Sequence, residues 1–407
     1  MSTDTRHLIA AEEYASRVRA LRGELRERGL AAAIVWGRGG GTVDRSADLR
    51  YLTGFYPVFP TIRDVPGVWS DRGLACAVIT ADAVVLFSDE PAADEAAFGI
   101  TESVARSGVG ERTLAGDVLA WLADRPELDR LGIVAGDAMN GHQTRALLAG
   151  CAAAGRELVW DDLLVEAFRR RKSDAEIVIM RRAAEIAREA LEAGFALIRP
   201  GARESDVVAA MAQVVSARQA VLANAFVYTI SATGEMEDNR APIHSERAFA
   251  AGDLFTVDLS GTFAGYFFDL ARSVVVGAEP TAVQQQAYDL ARGAVDAVVA
   301  ELRPGATLGV AAQAGSAVLR AAGIDPDDAE FPARGHGLGL AFESPWVRDD
   351  SPEILEPGMV ISIEQFAWIG AVGATYERNI LITEDGAEDL AAVRDFWVPA
   401  EPESASA

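Results

Sequence analysis

The stretch DLFTVDLSGTFAGYFFDLARSVVVG, Asp253 to Gly277, sets acids inside otherwise apolar strand sequence. Phe255, Val257 and Leu259 alternate with other residues, as do Tyr266, Phe268 and Leu270, so the period-two pattern predicts a β-hairpin with Gly261 and Gly265 near its bend. Asp258 and Asp269 fall within these strands, where burying an unpaired carboxylate costs several kcal/mol. Such a chain can only fold around something cationic. For a single aspartate, an arginine such as Arg272 would serve. Two further strands repeat the demand: GMVISIEQFAW (Gly358–Trp368) carries Glu364 among Val360, Ile361 and Ile363, and ATYERNILIT (Ala374–Thr383) carries Glu377. His336 lies in RGHGLGLAFESPW (Arg334–Trp346) and is one of only four histidines. Taken alone, its flanking glycines read as a turn with a polar ring on it. With the four carboxylates it completes an oxygen-rich set with one nitrogen. Such a set suits a pair of divalent ions better than a single zinc, because four negative charges call for about four positive ones.

The length of 407 residues, half of them hydrophobic, is enough for two domains with cores of their own. An amphipathic helix over Glu12–Arg28, a strand at Ala31–Trp36, a hairpin over Ala75–Asp89 and a strand at Leu131–Asp137 predict an α/β unit first. A basic cluster, Arg169–Lys172, then precedes Ser173, a good N-cap with Glu176 three residues on. The domain boundary is expected within Val165–Lys172. Beyond it, helices over about 174–198 and 203–220 precede strand-rich sequence at 225–277, and helices over about 282–303 and 308–322 precede strands at 359–383. Helix pair then sheet, twice, predicts two similar halves. The expected domains are 1–165, 166–395 and a disordered tail, 396–407, ending in EPESASA.

A net charge of −24 repels nucleic acid and anionic membrane. Cys76 and Cys151 are too few for a disulfide framework or a thiolate zinc site, and both are expected to be buried. No apolar run reaches the roughly 20 residues that span a bilayer, and MSTDTRHLIAAEEY lacks the order of a signal peptide. The expectation is a soluble cytoplasmic protein with no nucleic-acid or membrane partner.

At these residues the chain resembles the prolidase, aminopeptidase P and creatinase superfamily. ADLRYLTGF (Ala47–Phe55) and RRKSDAEIVIMRRAA (Arg170–Ala184) look like that family's N-terminal domain and first catalytic helix. The gaps of 11, 67, 28 and 13 residues separating Asp258, Asp269, His336, Glu364 and Glu377 are similar to those of prolidase-like enzymes. The resemblance implies an α/β N-terminal domain plus an α+β pita-bread catalytic domain with pseudo-twofold halves. It implies two divalent ions, of manganese, cobalt, iron or zinc: Asp258 on the first, His336 and Glu364 on the second, Asp269 and Glu377 bridging. Glu364 would also act as base toward an activated water, and family habit implies a homodimer acting on a short peptide or small molecule.

The family's three catalytic-domain histidines cannot all be present, because only His244 and His336 follow Val165. The register from Gly234 to Gly252–Asp253 puts the usual proline–histidine pair at Arg240–Ala241, so His244 stands three residues late, either as a relocated catalytic ring or as an ordinary strand-edge residue. In place of the HExP histidine stands Glu343, or Phe342 if one residue is deleted. Gln365 and Thr375 replace a proline and an arginine of the family pattern. A substrate carboxylate would need another partner, with Arg45, Arg50 and Arg240 the candidates, while Glu343 near the site would suit a neutral or cationic ligand. Three readings follow: a metal-dependent hydrolase of an Xaa-Pro-like C–N bond, a non-peptidase specialist on a small amide, amidine or lyase substrate, and an inactive binding module.

Overall fold

The apolar runs at the start of the chain become a mixed six-stranded sheet. The computed structural model describes residues 8–40, 43–59, 72–89, 99–105, 113–236, 247–328 and 333–397, which fall into two units divided between Arg169 and Arg170. In the first unit β1 (Ala32–Arg38), β2 (Leu74–Ile79), β3 (Val84–Ser88), β4 (Glu102–Ala105), β5 (Arg130–Val134) and β6 (Glu157–Trp160) lie in the order β4-β3-β2-β1-β5-β6. The stretch at 75–89 is the hairpin β2–β3, and β1 runs antiparallel to β2 and parallel to β5. Helices α1 (Ala11–Glu27), α2 (Ala47–Thr53), α3 (Leu114–Ala123), α4 (Gly141–Ala153) and α5 (Leu163–Arg169) accompany it. Val118 and Leu147 pack on Trp36, Val78, Phe87 and Leu131, with both cysteines buried in that core.

The second unit opens with α6 (Asp174–Phe195), α7 (Glu204–Ala217), β7 (Val221–Ile230), β8 (Leu254–Phe263) and β9 (Tyr266–Val275). It continues with α8 (Ala282–Glu301), α9 (Leu308–Ala321), β10 (Gly335–Leu338), β11 (Phe342–Trp346), β12 (Val360–Ile369), β13 (Val372–Ile382) and β14 (Ala387–Asp389). One sheet runs β11-β10-β12-β13-β9-β8-β7, with β14 paired to β13. Side chains of α6 and α7 form one core with β8 and β9, while α8 and α9 form another with β12 and β13.

The two halves repeat each other in detail. Each begins with a reciprocal cap: Ser173 with Glu176 before α6, and Thr281 with Gln284 before α8. Each first helix leads into the same four residues, Arg199–Ala202 and Arg303–Ala306. In both copies the alanine N–H donates to the arginine carbonyl at 3.1 Å, and the glycine takes a positive φ, 87° at Gly201 and 80° at Gly305. In both, the glycine N–H reaches one partner of the following chain, Phe249 or Leu355, whose own N–H returns to the alanine carbonyl. This recurring RPGA is a sequence repeat that the hydrophobic periodicity does not register.

Two local expectations change. The bend of the β8–β9 hairpin lies at Ala264–Gly265, both with positive φ, and Gly261 sits inside β8, where a Cβ would stand 2.5 Å from the Val221 carbonyl oxygen. The glycines around His336 mark no turn: they form strand β10 between β11 and β12. Glycine is needed there for closeness, since a Cβ on Gly335 would lie 2.0 Å from the Ser362 carbonyl oxygen and one on Gly337 2.4 Å from that of Ser344. At Gly335 the φ of 139° adds backbone strain for any other residue.

Gly335→Ala is therefore expected to cost about 2–5 kcal/mol, combining overpacking with strain. Gly370→Ala, at a φ of 62° with no atom within 4 Å of the added methyl, should cost about 1–2 kcal/mol from backbone strain alone. Denaturant unfolding of the two variants beside the parent checks this; equal losses would refute the packing account.

Candidate metal centre

Strand register decides which side chains share the inner face of the second sheet. Phe226 pairs with Asp258, Asp258 with Ala271, and Ser260 with Asp269 across β7, β8 and β9. Tyr376 of β13 pairs with Arg272 of β9, and Glu377 lies directly opposite Glu364 across β13 and β12. His336 pairs with Ser362, two residues before Glu364. Because alternate residues of a strand share a face, one face carries Asp258, Asp269, Glu364, Glu377 and His336. The same alternation turns Arg272 away: its guanidinium donates to the carbonyls of Ala271 and Glu377 and lies 4.2 Å from the Tyr376 ring centre. Arg272 thus occupies backbone oxygens rather than the aspartates.

The sheet is strongly curled around this face. Between β7 and β12 lie β8, β9 and β13, about 19 Å of flat sheet at about 4.8 Å per strand. Tyr228 of β7 and Trp368 of β12 nevertheless stack with ring centres 6.1 Å apart. The carboxylates stand in the resulting concavity.

His336 Nε2 lies 3.4 Å from Asp269 Oδ2 and 3.6 Å from Glu364 Oε1, while its Nδ1 is 2.9 Å from the Gly337 carbonyl oxygen. With Nδ1–H donating to that carbonyl, Nε2 presents its lone pair toward the acids. One donor atom each from Asp269, His336 and Glu377 falls within 4.8 Å of the others, and all three residues are buried. Ser362 Oγ donates to Glu377 Oε1 at 2.5 Å, while the buried Oε2 receives no hydrogen bond. Asn379 holds the Asp269 backbone, accepting from its N–H at 3.3 Å and donating to its carbonyl at 2.6 Å. Ser362 and Asn379 escaped the sequence reading, although each lies two residues from a glutamate on the same strand and so on the same face.

Burial holds all four carboxyl groups above their usual range. Asp269 and Glu377 are pushed well up by desolvation and then by neighbouring acids. Glu364 rises to about 7 through burial, with His336 and Arg334 opposing and Asp258 adding to the shift. Asp258 also rises by burial, tempered by a hydrogen bond shared with Asp269. A metal-free cluster must retain protons, whereas divalent cations would satisfy the orphaned Glu377 oxygen and the repulsion together. The donor set fits such ions.

Of the remaining candidates, Glu343 and Phe342 take opposite faces of β11. Glu343 forms a buried pair with Lys172, Nζ to Oε1 2.8 Å. Phe342 stands on the histidine side, its ring centre 5.0 Å from that of His336. In the first unit Arg45 pairs with Asp137 at 2.6 Å, and Arg50 lies 5.8 Å from the Tyr56 ring centre. His244, Arg240 and Ala241, like the tail EPESASA, lie outside the described residues.

Comparison with known proteins settles the family. Residues 178–384, spanning all five members of the cluster, match the model of metallopeptidase family M24. The chain belongs to that family. Residues 17–171 match the creatinase/prolidase N-terminal domain that accompanies the M24 domain here. The Xaa-Pro dipeptidase of Pyrococcus furiosus is 30% identical over 221 residues, 54% of this chain and 62% of that one. The probable dipeptidase PepE of Mycobacterium tuberculosis is 33% identical over 193 residues, 46% of this chain and 49% of its own. These alignments thus span less than two thirds of the relatives' length. The prolidase structure from Pyrococcus horikoshii superposes with a TM-score of 0.73 at 20% identity, covering 94% of this chain and 100% of that one. The M24 chain has the pita-bread fold, and its two-half sheet is the cradle of the acids. Among the described residues no helix is long and apolar enough to cross a membrane.

The raised carboxyl pKa values fix a sign. The folded metal-free M24 chain holds more protons than the unfolded chain once pH exceeds the ordinary carboxylate range, so its stability falls as pH rises from about 4 toward 7 and beyond. Chelator-stripped protein should show a Tm that drops between pH 5 and pH 8, and added manganese should restore more at pH 8 than at pH 5. A metal-free Tm rising across that interval would contradict the charge balance described.

Proposed function

We propose that this chain is a dinuclear metal-dependent hydrolase of a C–N bond, related to Xaa-Pro peptidases but with altered substrate handling. The carrying observation is the buried convergence of Asp269, His336 and Glu377 within 4.8 Å. In this reading Asp258 would hold one ion, His336 and Glu364 the other, and Asp269 and Glu377 would contribute to both. Bound there, divalent ions supply Lewis acidity toward a carbonyl oxygen and acidify water. Manganese, cobalt, iron and zinc all suit such donors. Glu364 would accept the proton of the attacking water and return it to the leaving nitrogen. Ser362 and Asn379 keep Glu377 and Asp269 in place. The substrate is a short peptide or small amide in a homodimeric cytoplasmic enzyme.

A non-peptide substrate is the second reading, favoured by the position of Phe342. An apolar ring stands beside His336, and Glu343 is engaged with Lys172, so neither residue at this place hands a proton to a peptide. Proton transfer then falls to Glu364 and, in our proposal, to His244, with Arg240, Arg45 or Arg50 meeting any substrate carboxylate.

Metal analysis after incubation with manganese, cobalt or zinc should find about two ions per chain, and Asp269→Ala and Glu377→Ala should each lose metal. Folded parent protein that stays metal-free would defeat the proposal. For His244→Ala we expect kcat to fall by roughly two to four orders of magnitude at unchanged metal content; near-normal turnover would return His244 to a structural role.

A further inference from the structure

The concave face carries more than acids. Among the described residues of the second unit, the exposed phenylalanine and tryptophan side chains are Phe226, Phe342, Trp346 and Trp368, each 42–49% exposed. All four lie on this one face. Phe226 is the cross-strand partner of Asp258, Trp368 follows Glu364 by four residues on β12, and Phe342 and Trp346 approach the His336 ring. The placement is bilateral. Edge strand β7 bears Phe226 and Tyr228, edge strand β11 bears Phe342 and Trp346, and the four strands carrying carboxylates lie between them. On the β7 side the rings are continuous: Phe226 and Tyr228 centres are 5.8 Å apart, and Tyr228 and Trp368 centres 6.1 Å.

On β7, β8, β9, β13 and β12 no position that the strand alternation places on this face is lysine or arginine. The residue opposite Ser273 is Thr375, whose backbone N–H donates to Ser273 Oγ, and Ser273 in turn shares a hydrogen bond of 2.7 Å with Thr256. Among the described residues of these strands, an anionic group resting there would find hydroxyls and ring faces and no cation. A cation would find the negative faces of the exposed Phe226 and Trp368 rings, tryptophan being the stronger partner, with buried Tyr228 backing them. The net charge of −24 also draws cations toward the chain.

We infer that the Phe226–Tyr228–Trp368 wall binds a cationic group of the substrate, an ammonium or alkylated onium centre, beside the carbonyl that the acid cluster serves. The inference rests on the proposed hydrolase reading and narrows its substrate class to amides bearing a positive charge and no carboxylate at that end. Ring faces, rather than an arginine or a carboxylate partner, then determine which amides enter.

The test separates charge from shape. Trimethylglycinamide, a cationic amide, and 3,3-dimethylbutanamide, its neutral isostere, are titrated calorimetrically into manganese-treated full-length protein whose metal content has been measured. We expect the cationic amide to bind roughly ten-fold more tightly than the isostere. Trp368→Leu and Phe226→Leu, on exposed positions and verified as folded by circular dichroism, should each shrink that ratio several-fold while leaving the affinity of the neutral amide nearly unchanged. A merely structural role would weaken both ligands alike. Equal binding of the two amides, preference for the neutral one, absence of binding by either, or an unchanged ratio in both variants would overturn the inference. Absence of metal alone would instead overturn the hydrolase reading and leave the ratio to be judged on its own.

Discussion

Four carboxyl groups stand on four adjacent central strands of one curled sheet, strands that themselves bring no lysine or arginine to the shared face, and their mutual repulsion is the constraint that other features of the second unit answer. Asp269 is driven above the ordinary carboxylate range first by burial and then by Asp258 and Glu364, and Glu377 first by burial and then by Asp269. The chain meets this locally with neutral donors. Ser362 reaches Glu377, and Asn379 ties the Asp269 backbone while also donating to Ser362 Oγ at 2.9 Å. Such contacts orient the acids but bring no charge. The large term is left to a cation or to protons, which makes ion binding and the stability of the site one thermodynamic quantity.

Curvature serves the same end. A flat sheet would spread the carboxylates and the edge strands along a plane, whereas the stacking of Tyr228 on Trp368 closes the face on itself. Duplicated halves build this shape. Each supplies a capped helix, an RPGA turn, a second helix and a hairpin with acids on its inner face, and the halves join where β9 meets β13. The join brings the acids of the two hairpins together: Asp258 and Asp269 from one, Glu364 and Glu377 from the other. Glycines on β10 then admit a fifth member, because only a chain without side chains at 335 and 337 can lie against the Ser362 and Ser344 carbonyls and still present His336.

What could be read from sequence follows from which forces are periodic. Helices α6, α7, α8 and α9 and the hairpins carrying the acids were legible because apolar alternation and caps are local signals. The acids themselves were legible as violations of that alternation. Gly335–Leu338, taken alone, reads equally as a turn, since glycine signals both positive φ and close backbone approach, and only the neighbouring strand distinguishes them. The pairing of Glu343 with Lys172 joins residues 171 positions apart and has no local signature. The aromatic rings at both edges were equally hidden. Phe226, Phe342 and Trp368 look like ordinary strand residues until the sheet order gathers them on one face.

Lys172 and Glu343 show how a buried pair can govern a site without touching it. Both side chains are almost wholly buried, and Gly339 leaves them room, since a Cβ there would lie 2.5 Å from Glu343 Oε1 and 2.9 Å from Lys172 Cε. Separating two such charges leaves each uncompensated, which costs far more than an exposed pair contributes. Lys172 is itself anchored through its N–H to the Gly358 carbonyl at 2.8 Å, directly before the capping box that starts α6. The pair therefore holds β11 against the first helix of the opposite half. Strand alternation converts this anchorage into orientation: with Glu343 held on one face, Phe342 must face His336 on the other. A glutamate with no part in the proposed chemistry thus determines that an apolar ring, rather than a proton donor, borders the histidine.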